Sequence, residues 1–443
     1  MELSDGTTGE AIAVKLLESL SSLGFNAAVL QRRLIGFCTD GASNLHGFVK
    51  GALNIIGIRL DRNDIVTFHC MNHKLELAVH DVVNSINRVT HLRMFMDTLY
   101  SYYSRSPNNC RHLAAASHEL QVELKKIGKI FDVRWLSSSY KSVNATYQSL
   151  PALVRQLNVA SIDPSSNAKD RAKAFGMAKK VQSFEFLLEI ALMRDALEIL
   201  QNLSLFLQKR DSSIITANDN IQVALRSLDA LKTVNSITMT EVTNQCCSGH
   251  FRGYAVTKKD SDLSNFAQMR AQFLQALIYN IRSRFPQQVL LEAGGILSPV
   301  SWPSDEDQKA VFGDQHVLTL AKLCKVDGRA ALNDFWLYKY NQSIGEDLSM
   351  LLKRVKVIPV SSAECERGFS CMNIADIPLR NRLRVESLSA LLFIKINGPQ
   401  PSHFKPVPYV TKWLQEGHHA SQDTLTRPEK TCTKPESAFS CLF

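Results

Sequence analysis

A short α/β alternation that gives way to a long helical region constrains this fold more than any other sequence feature. The apolar runs 34–38 and 65–68 are typical of buried strands, and a helical pattern follows each of them. Two strands form only a marginal sheet, so we expect further strands to complete such a domain. From about residue 85 to residue 345 the apolar spacing is helical.

Composition limits the class of protein. A chain of 443 residues exceeds one compact core, which predicts two or three folding units. The formal net charge of +9 favours polyanionic partners such as nucleic acid, although general solubility explains it equally well. The cysteine spacing forms no disulfide framework, the N-terminus resembles no signal peptide, and no apolar run is long enough for a membrane span. We therefore expect an intracellular protein with reduced thiols and no membrane association.

Asp40 stands where the first predicted strand runs into the loop 39–44. Loops at the carboxyl ends of such strands commonly hold active sites, and Gly41 permits a sharp turn. The alternative is a structural Asp that accepts a hydrogen bond within an Asx-turn, and the residue pattern alone favours that interpretation.

Cys70 and His73 form a C-x-x-H pair after the second predicted strand. Both are zinc ligands, but a structural zinc site needs four, and no second pair lies at a standard spacing. The alternatives are a positioned histidine beside a phosphate or metal, and a packing role, which the spacing favours.

Arg134 and Trp135 precede a run of serines. They indicate either a helix start with a core tryptophan, or an arginine that meets phosphate beside a tryptophan that stacks on a base. Further along, Ser361 and Glu364 have the spacing of a capping box, which predicts a helix start. Glu366 then falls in the first turn, where a solvated carboxylate suits the helix dipole.

These segments, in this order, resemble the hAT transposase superfamily. The longest match is 359–398, with Ser361–Ser370, Asn373, Arg380–Leu383 and an apolar helix after Leu388, which resembles the C-terminal dimerisation region of that family. The loop 39–44, the Cys70 and His73 pair, and Arg134–Trp135 strengthen the resemblance, which covers roughly residues 1–398. It is greatest for a domesticated vertebrate subgroup, some members of which are catalogued as SUMO E3 ligases.

The resemblance implies an α+β, mostly helical fold: an N-terminally truncated RNase H-like α/β core that a large all-α insertion interrupts. We accordingly expect a partial core over 1–145, a helical insertion over 146–345, a dimerisation region that completes the core over 346–398, and a disordered tail over 399–443. The disorder of the tail follows from its content of Pro, Ser, Thr and His.

The chemistry that the resemblance implies is DNA strand cleavage and transfer by a D-D-E triad with two Mg²⁺ ions. Asp40 matches the second triad Asp, Glu366 the triad Glu, and His73 a histidine beside that site. Arg134, Trp135 and Arg367 are the implied nucleic-acid contacts. No residue in this sequence matches the first triad Asp, or the BED-type zinc finger that the resemblance places upstream. A chain without that Asp is expected to need no cofactor; Mg²⁺ would be required only with the triad restored.

The leading hypothesis is therefore a nuclear, non-catalytic, transposase-derived protein that forms a homodimer and is a candidate for DNA binding. The implied dimerisation residues are Phe369, Leu383, Leu388, Leu391 and Leu392. The alternatives are a fragment of an active transposase and a SUMO E3 ligase-like protein. The apolar segment 357–360 lies within the family match, so we interpret it as part of the fold instead of as a SUMO-interaction motif.

Overall fold

A computed structural model of the chain describes residues 6–47, 50–129, 135–285, 293–377 and 383–415. The fold is α+β and mostly helical, as the sequence predicts. It divides into two compact units, Met1–Glu366 and Arg367–Phe443. The domain boundaries expected from the sequence remain predictions.

Strands β1 (Gly36–Thr39) and β2 (Val66–His69) pair in parallel, with Gly36 opposite Val66 and Thr39 opposite His69. Each lies within two residues of its predicted position. On one face Phe37 and Ile65 pack against a small core formed by helices Gly9–Ser22, Ala27–Arg33 and Ala52–Arg59. On the other, Val66 and Phe68 join the main core. Burial on both faces explains why these strands are continuous apolar runs.

The spacing of Thr7 and Glu10 predicts a capping box at the start of the first helix. The N-cap is instead the next residue, Thr8, whose hydroxyl accepts a hydrogen bond from Ala11 N–H. Both threonines carry a hydroxyl that could cap the helix. Thr7 is held by another contact, because its carbonyl accepts a hydrogen bond from Asn44 Nδ2.

The main core forms around the 24-residue helix Phe184–Leu207. Most of its residues are buried, and Ser183 caps its first turn by accepting from Phe186 N–H at 3.3 Å. A helix that is apolar on nearly all sides must be surrounded by other elements. The helices that contact it include Met71–Ser85, Trp135–Gln148, Ile214–Ala230, Ile237–Cys246 and Asp262–Arg284.

The other helices of Met1–Glu366 extend this assembly. They are Ser43–His46, Asn87–Ser104, Pro107–Glu119, Leu150–Ile162, Ala168–Val181, Glu306–Val311, Asp314–Cys324, Gly328–Asn341 and Glu346–Lys356. Within the polar segment 244–261, expected to be a loop, strands β3 (His250–Phe251) and β4 (Tyr254–Ala255) form an antiparallel hairpin. Gly253 supplies a left-handed conformation at its turn, and Phe251 is buried, which anchors it.

Two of the buried ionisable side chains in these helices, Asp195 and Lys339, have several hydrogen-bond partners. Asp195 accepts hydrogen bonds from Ser236 and Thr238, and Arg194 lies beside it. Lys339 donates to the carbonyl oxygens of Ala310 and Phe312 at 2.8 and 3.1 Å. Buried charges with several hydrogen bonds hold neighbouring segments in register.

Within the segment 357–360, Ile358 and Val360 belong to the main core. They are 1% and 2% exposed, so these two side chains are not available to a partner, whereas Val357 is 64% exposed. Helix Ala363–Ala375 follows and crosses the division between the two units.

The unit Arg367–Phe443 contains the rest of that helix, helix Val385–Asn397, a 3-10 turn Pro401–His403 and helix Val407–Gln415. The last helix lies inside the tail that composition assigns to disorder; its apolar spacing at Val407, Val410 and Leu414 explains why a helix forms there. Residues 416–443 lie outside the described residues.

Among the described helices, no single one is both long and apolar enough to cross a membrane. Helices Gly9–Ser22 and Ala27–Arg33 reach that length and composition only together, and they bend by 98° at the break between them.

Candidate functional site

The carboxyl ends of β1 and β2 meet at one edge of the sheet. Thr39 pairs with His69, and Cys70 N–H donates to the Thr39 carbonyl at 2.7 Å. Asp40 and Cys70 therefore leave the sheet from adjacent positions. We call this the carboxyl edge and define it by Asp40, Cys70 and the residues that contact them.

Asp40 forms the Asx-turn that the residue pattern favours. Its Oδ1 accepts a hydrogen bond from Ala42 N–H at 3.1 Å, and the side chain is exposed. The backbone of Gly41 has a φ of +83°. A Cβ on Gly41 would lie 2.4 Å from Cε1 of His69, so the imidazole packs directly on the glycine backbone. The turn thus requires glycine for two separate reasons.

Three histidine rings gather behind this turn. The His69 ring stacks on His73 at a centroid distance of 5.4 Å, and the His46 ring lies 6.1 Å from it. Burial lowers the pKa of His69, and the neighbouring Lys74, His73 and His46 lower it further. This environment favours the neutral form of His69. Among the described residues, Nε2 of His69 and Nε2 of His46 are buried without a hydrogen-bond partner.

A third segment, distant in sequence, completes the carboxyl edge. Met71 N–H donates to the Val360 carbonyl at 3.0 Å, and Ser362 N–H donates to Cys70 Sγ at 3.3 Å. The Ser361 hydroxyl lies 3.7 Å from the same sulfur. These contacts join the start of helix Met71–Ser85 to the start of helix Ala363–Ala375.

Glu366 lies one helical turn beyond this junction. Its N–H donates to the Ser362 carbonyl at 3.2 Å, and its side chain is exposed, as expected for a first-turn carboxylate. Glu364, expected to complete a capping box with Ser361, forms an ion pair with Arg210 at 2.7 Å. The structure therefore brings the Asp40 loop, Cys70 with His73, and the helix that carries Glu366 to the same region of the molecule.

Cys38 and Cys70 form a coupled pair across the two strands. The hydrogen bond from Cys38 lowers the pKa of Cys70 to about 4, and the contacts of Ser362 act in the same direction. The same bond, followed by burial, raises the pKa of Cys38 above its usual range. Cys70 is therefore the acceptor sulfur of this pair. The C-x-x-H cysteine serves to connect three segments of the chain.

These donors do not suit a Mg²⁺ ion. The side chains at the carboxyl edge include the imidazole of His69 and the thiol of Cys70, whereas Mg²⁺ prefers oxygen ligands in octahedral geometry. Within the described ranges, no group of three or more His, Cys, Asp or Glu side chains is arranged to hold a metal ion. No cleavage step can be derived from this arrangement.

The helix start predicted at Trp135 is confirmed, since helix Trp135–Gln148 begins there. Arg134 lies outside the described residues. The serines that follow Trp135 favour a serine cap for this helix. Instead, Leu136 N–H donates to Glu76 Oε2 at 2.9 Å, so a carboxylate from helix Met71–Ser85 caps it. A carboxylate interacts favourably with a helix N-terminus, and this explains the contact. Glu76 lies 60 residues from Leu136 in sequence.

The residues expected to mediate dimerisation are accessible. Phe369 is 62% exposed, Leu391 is 41% exposed, and Leu383, Leu388 and Leu392 are partly exposed. Arg367 is also exposed. All six belong to the unit Arg367–Phe443.

No protein-family model matches the chain.

Proposed function

We propose that this chain is a transposase-derived protein related to the hAT superfamily, which forms a homodimer, binds DNA and does not cleave it. The dimer forms through the apolar helices of Arg367–Phe443. The sequence resemblance gives the parentage, and one structural observation supports dimerisation.

That observation is the exposure of helix Val385–Asn397. The helix has no buried residue, and Glu386 and Lys395 are its only charged residues. Leu391, Phe393 and Ile394 are 41%, 46% and 65% exposed. A helix that is apolar on most sides is normally buried, because each large apolar side chain removed from water contributes roughly 1.5–3 kcal/mol.

Helix Val407–Gln415 adds a second apolar surface in the same unit. Val407, Tyr409, Val410, Trp413 and Leu414 are all more than half exposed. Aromatic residues are enriched at protein interfaces. The resemblance assigns dimerisation to the region that contains the first of these helices, so a second copy of the chain is the partner we propose for both.

The arrangement of the carboxyl edge is consistent with the same parentage. Two parallel strands carry Asp40 and Cys70 at their carboxyl ends, and the chain returns to them at Ser361–Glu366 after a long helical region. An α/β core that a helical insertion interrupts has this order of elements. The net charge of +9 supports DNA as the polyanionic partner.

We propose no cleavage by the 443-residue chain itself, because only two of its residues, Asp40 and Glu366, match the three carboxylates that the resemblance requires. Removing one of three metal-bridging carboxylates abolishes a two-metal mechanism. Incubation of the purified chain with Mg²⁺ and supercoiled plasmid should give no nicking; nicking that Asp40→Asn abolishes would overturn this part of the proposal.

Sedimentation velocity at micromolar concentration tests the dimer. We expect a species of twice the 49.6 kDa chain mass. The double variant Leu391→Glu, Ile394→Glu should sediment as a monomer, because it places four charges in a paired interface. The control variant Val234→Glu, Ile237→Glu alters two residues that are exposed elsewhere, 62% and 92%, and should remain a dimer. A monomeric wild-type chain would contradict the proposal.

A further inference from the structure

A basic cleft lies at the opposite end of the sheet from Asp40. Its volume is about 600 Å³. Nine described residues line it, and none of them is a carboxylate. Five of the nine are cations: Arg32, Arg33, Arg62, Lys325 and Arg354. All belong to the unit Met1–Glu366.

The strand direction separates this cleft from the carboxyl edge. Leu34 and Ile35 enter β1, and Arg62 stands shortly before β2, so the cleft lies at the amino ends of both strands. The extended chain from Ile35 to Asp40 spans about 16 Å, at about 3.3 Å per residue. The site at Asp40 therefore does not account for the cations in the cleft.

Two arginines are fixed in place by main-chain carbonyls. Arg62 donates to the carbonyls of Gln31 and Leu34, at 3.1 Å for Leu34, and forms a two-point ion pair with Asp64. Arg354 donates to the carbonyls of Cys324 and Lys325, at 2.9 Å for Lys325. A carbonyl orients a guanidinium without neutralising its charge, and further N–H donors remain on each group.

These contacts also stabilise the C-terminal ends of helices Ala27–Arg33 and Asp314–Cys324, and that role explains part of the basic character. Each helix end is equivalent to about half a negative charge. The carboxylate of Asp64 contributes one more, since it pairs with Arg62 and Lys325. Five cations therefore leave an excess of about three positive charges, which helix capping does not explain.

The excess positive charge of the cleft is most accessible at the side chains of Arg32 and Arg33. Both side chains are exposed at the mouth of the cleft. Arg32 donates from Nε to the Ala28 carbonyl at 3.2 Å, which leaves its terminal nitrogens available. In the described part of the chain, the Arg33 side chain forms no hydrogen bond or ion pair.

We infer that this basic cleft binds a polyanion with closely spaced phosphate groups. Guanidinium groups match phosphate oxygens with two parallel hydrogen bonds, and several held in one concave surface favour a ligand with more than one phosphate. The phosphates can come from a nucleic-acid backbone or from a free polyphosphate. The assignment of nucleic acid as the ligand rests on the proposed function, whereas the assignment of a free polyphosphate does not.

Binding measurements with two probes test the inference and distinguish the sources. Inorganic triphosphate is titrated by calorimetry, and a 20-base-pair DNA duplex by fluorescence anisotropy at several salt concentrations. The variant is Arg32→Glu, Arg33→Glu. The control is Lys179→Glu, Lys259→Glu, which makes the same charge change at two exposed lysines outside the cleft. Circular dichroism confirms folding, and Arg32→Gln, Arg33→Gln replaces the first variant if it unfolds.

We expect the cleft variant to lower the affinity for the probe that binds by at least about tenfold. The control variant should lower that affinity much less. For DNA, the slope of log affinity against log salt should fall by about two, because two phosphate contacts are lost. Loss of triphosphate binding identifies a free polyphosphate site, and loss of DNA binding alone identifies a nucleic-acid surface. Binding of neither probe by the wild-type chain, or an equal loss in the control, would overturn the inference.

The sedimentation result is independent of this outcome. A monomeric chain that still binds triphosphate through Arg32 and Arg33 would contradict the proposed dimer and leave the cleft assignment intact. A dimer that binds neither probe would contradict the cleft assignment and leave the proposed dimer intact.

Discussion

Ser362 donates its N–H to the sulfur of Cys70, although 292 residues separate the two in sequence. Cys70 is completely buried, and its own N–H donates to the Thr39 carbonyl. This one residue therefore connects β1, helix Met71–Ser85 and the start of helix Ala363–Ala375.

Replacing Cys70 by alanine should lower the free energy of unfolding by about 1–3 kcal/mol, because Ser362 N–H loses its acceptor and a small void remains. Urea denaturation monitored by circular dichroism measures the change. Cys247→Ala, at an exposed cysteine, is the control and should cost less than about 0.5 kcal/mol. Equal stability of the two variants would show that the contact with Ser362 contributes nothing.

The Cys70 thiolate should be detectable by its ultraviolet absorbance at 240 nm. Since its pKa is lowered to about 4, the thiolate should persist at pH 6 and protonate as the pH falls through 4. Burial raises the pKa of Cys246 and Cys324 to about 11, so those thiols stay protonated over this range. Cys70→Ala should abolish the transition. Cys38→Ala should move it to higher pH, because the hydrogen bond that lowers the pKa most is lost.

Gly41→Ala should destabilise the protein more than Gly24→Ala. Both glycines have a positive φ, +83° and +89°, which costs an alanine about 1–2 kcal/mol. Only at Gly41 does the added Cβ meet an atom, Cε1 of His69 at 2.4 Å; at Gly24 nothing lies within 4 Å. Overpacking adds about 1–3 kcal/mol. Thermal and urea unfolding of the two variants, compared directly, would reveal a difference of at least about 1 kcal/mol; similar values would argue against the packing of His69 on this turn.

Glu76→Ala should lower the free energy of unfolding by about 0.5–2 kcal/mol, as expected for the loss of a helix cap. Glu76→Gln keeps an oxygen acceptor for Leu136 N–H and removes the charge, so an intermediate loss is expected. Urea denaturation at low and high salt separates the two contributions, because salt weakens only the interaction of the charge with the helix dipole. Identical losses in both variants would indicate that the carboxylate has no capping role.

Much of the local structure was predictable from the sequence. Apolar periodicity located β1, β2 and the long helix Phe184–Leu207, and the Asx-turn at Asp40 follows from residue types alone. The hairpin at His250–Ala255 was not predicted, because its strands have two residues each and only Phe251 is buried among them. Such short strands carry no usable alternation.

The contacts of the candidate site were less predictable, because they join residues far apart in sequence. The sequence drew attention to Cys70 and His73, but Cys38 and His69 acquire their importance only from the parallel register of β1 and β2. The cap that Glu76 provides to Leu136 could not be assigned either, since any nearby carboxylate satisfies a helix N-terminus. The basic cleft depends on tertiary packing in the same way, because its cations come from four separate segments.

The junction between Cys70 and Ser362 also has a consequence during synthesis. A ribosome adds about 5–20 residues per second, so Cys70 emerges roughly 15–60 seconds before its hydrogen-bond donor exists. For that time the sulfur, the adjoining histidines and the ends of two strands are without the segment that covers them in the finished protein. The nascent chain therefore exposes a thiol and two strand ends at this edge until Ser362 has been synthesised.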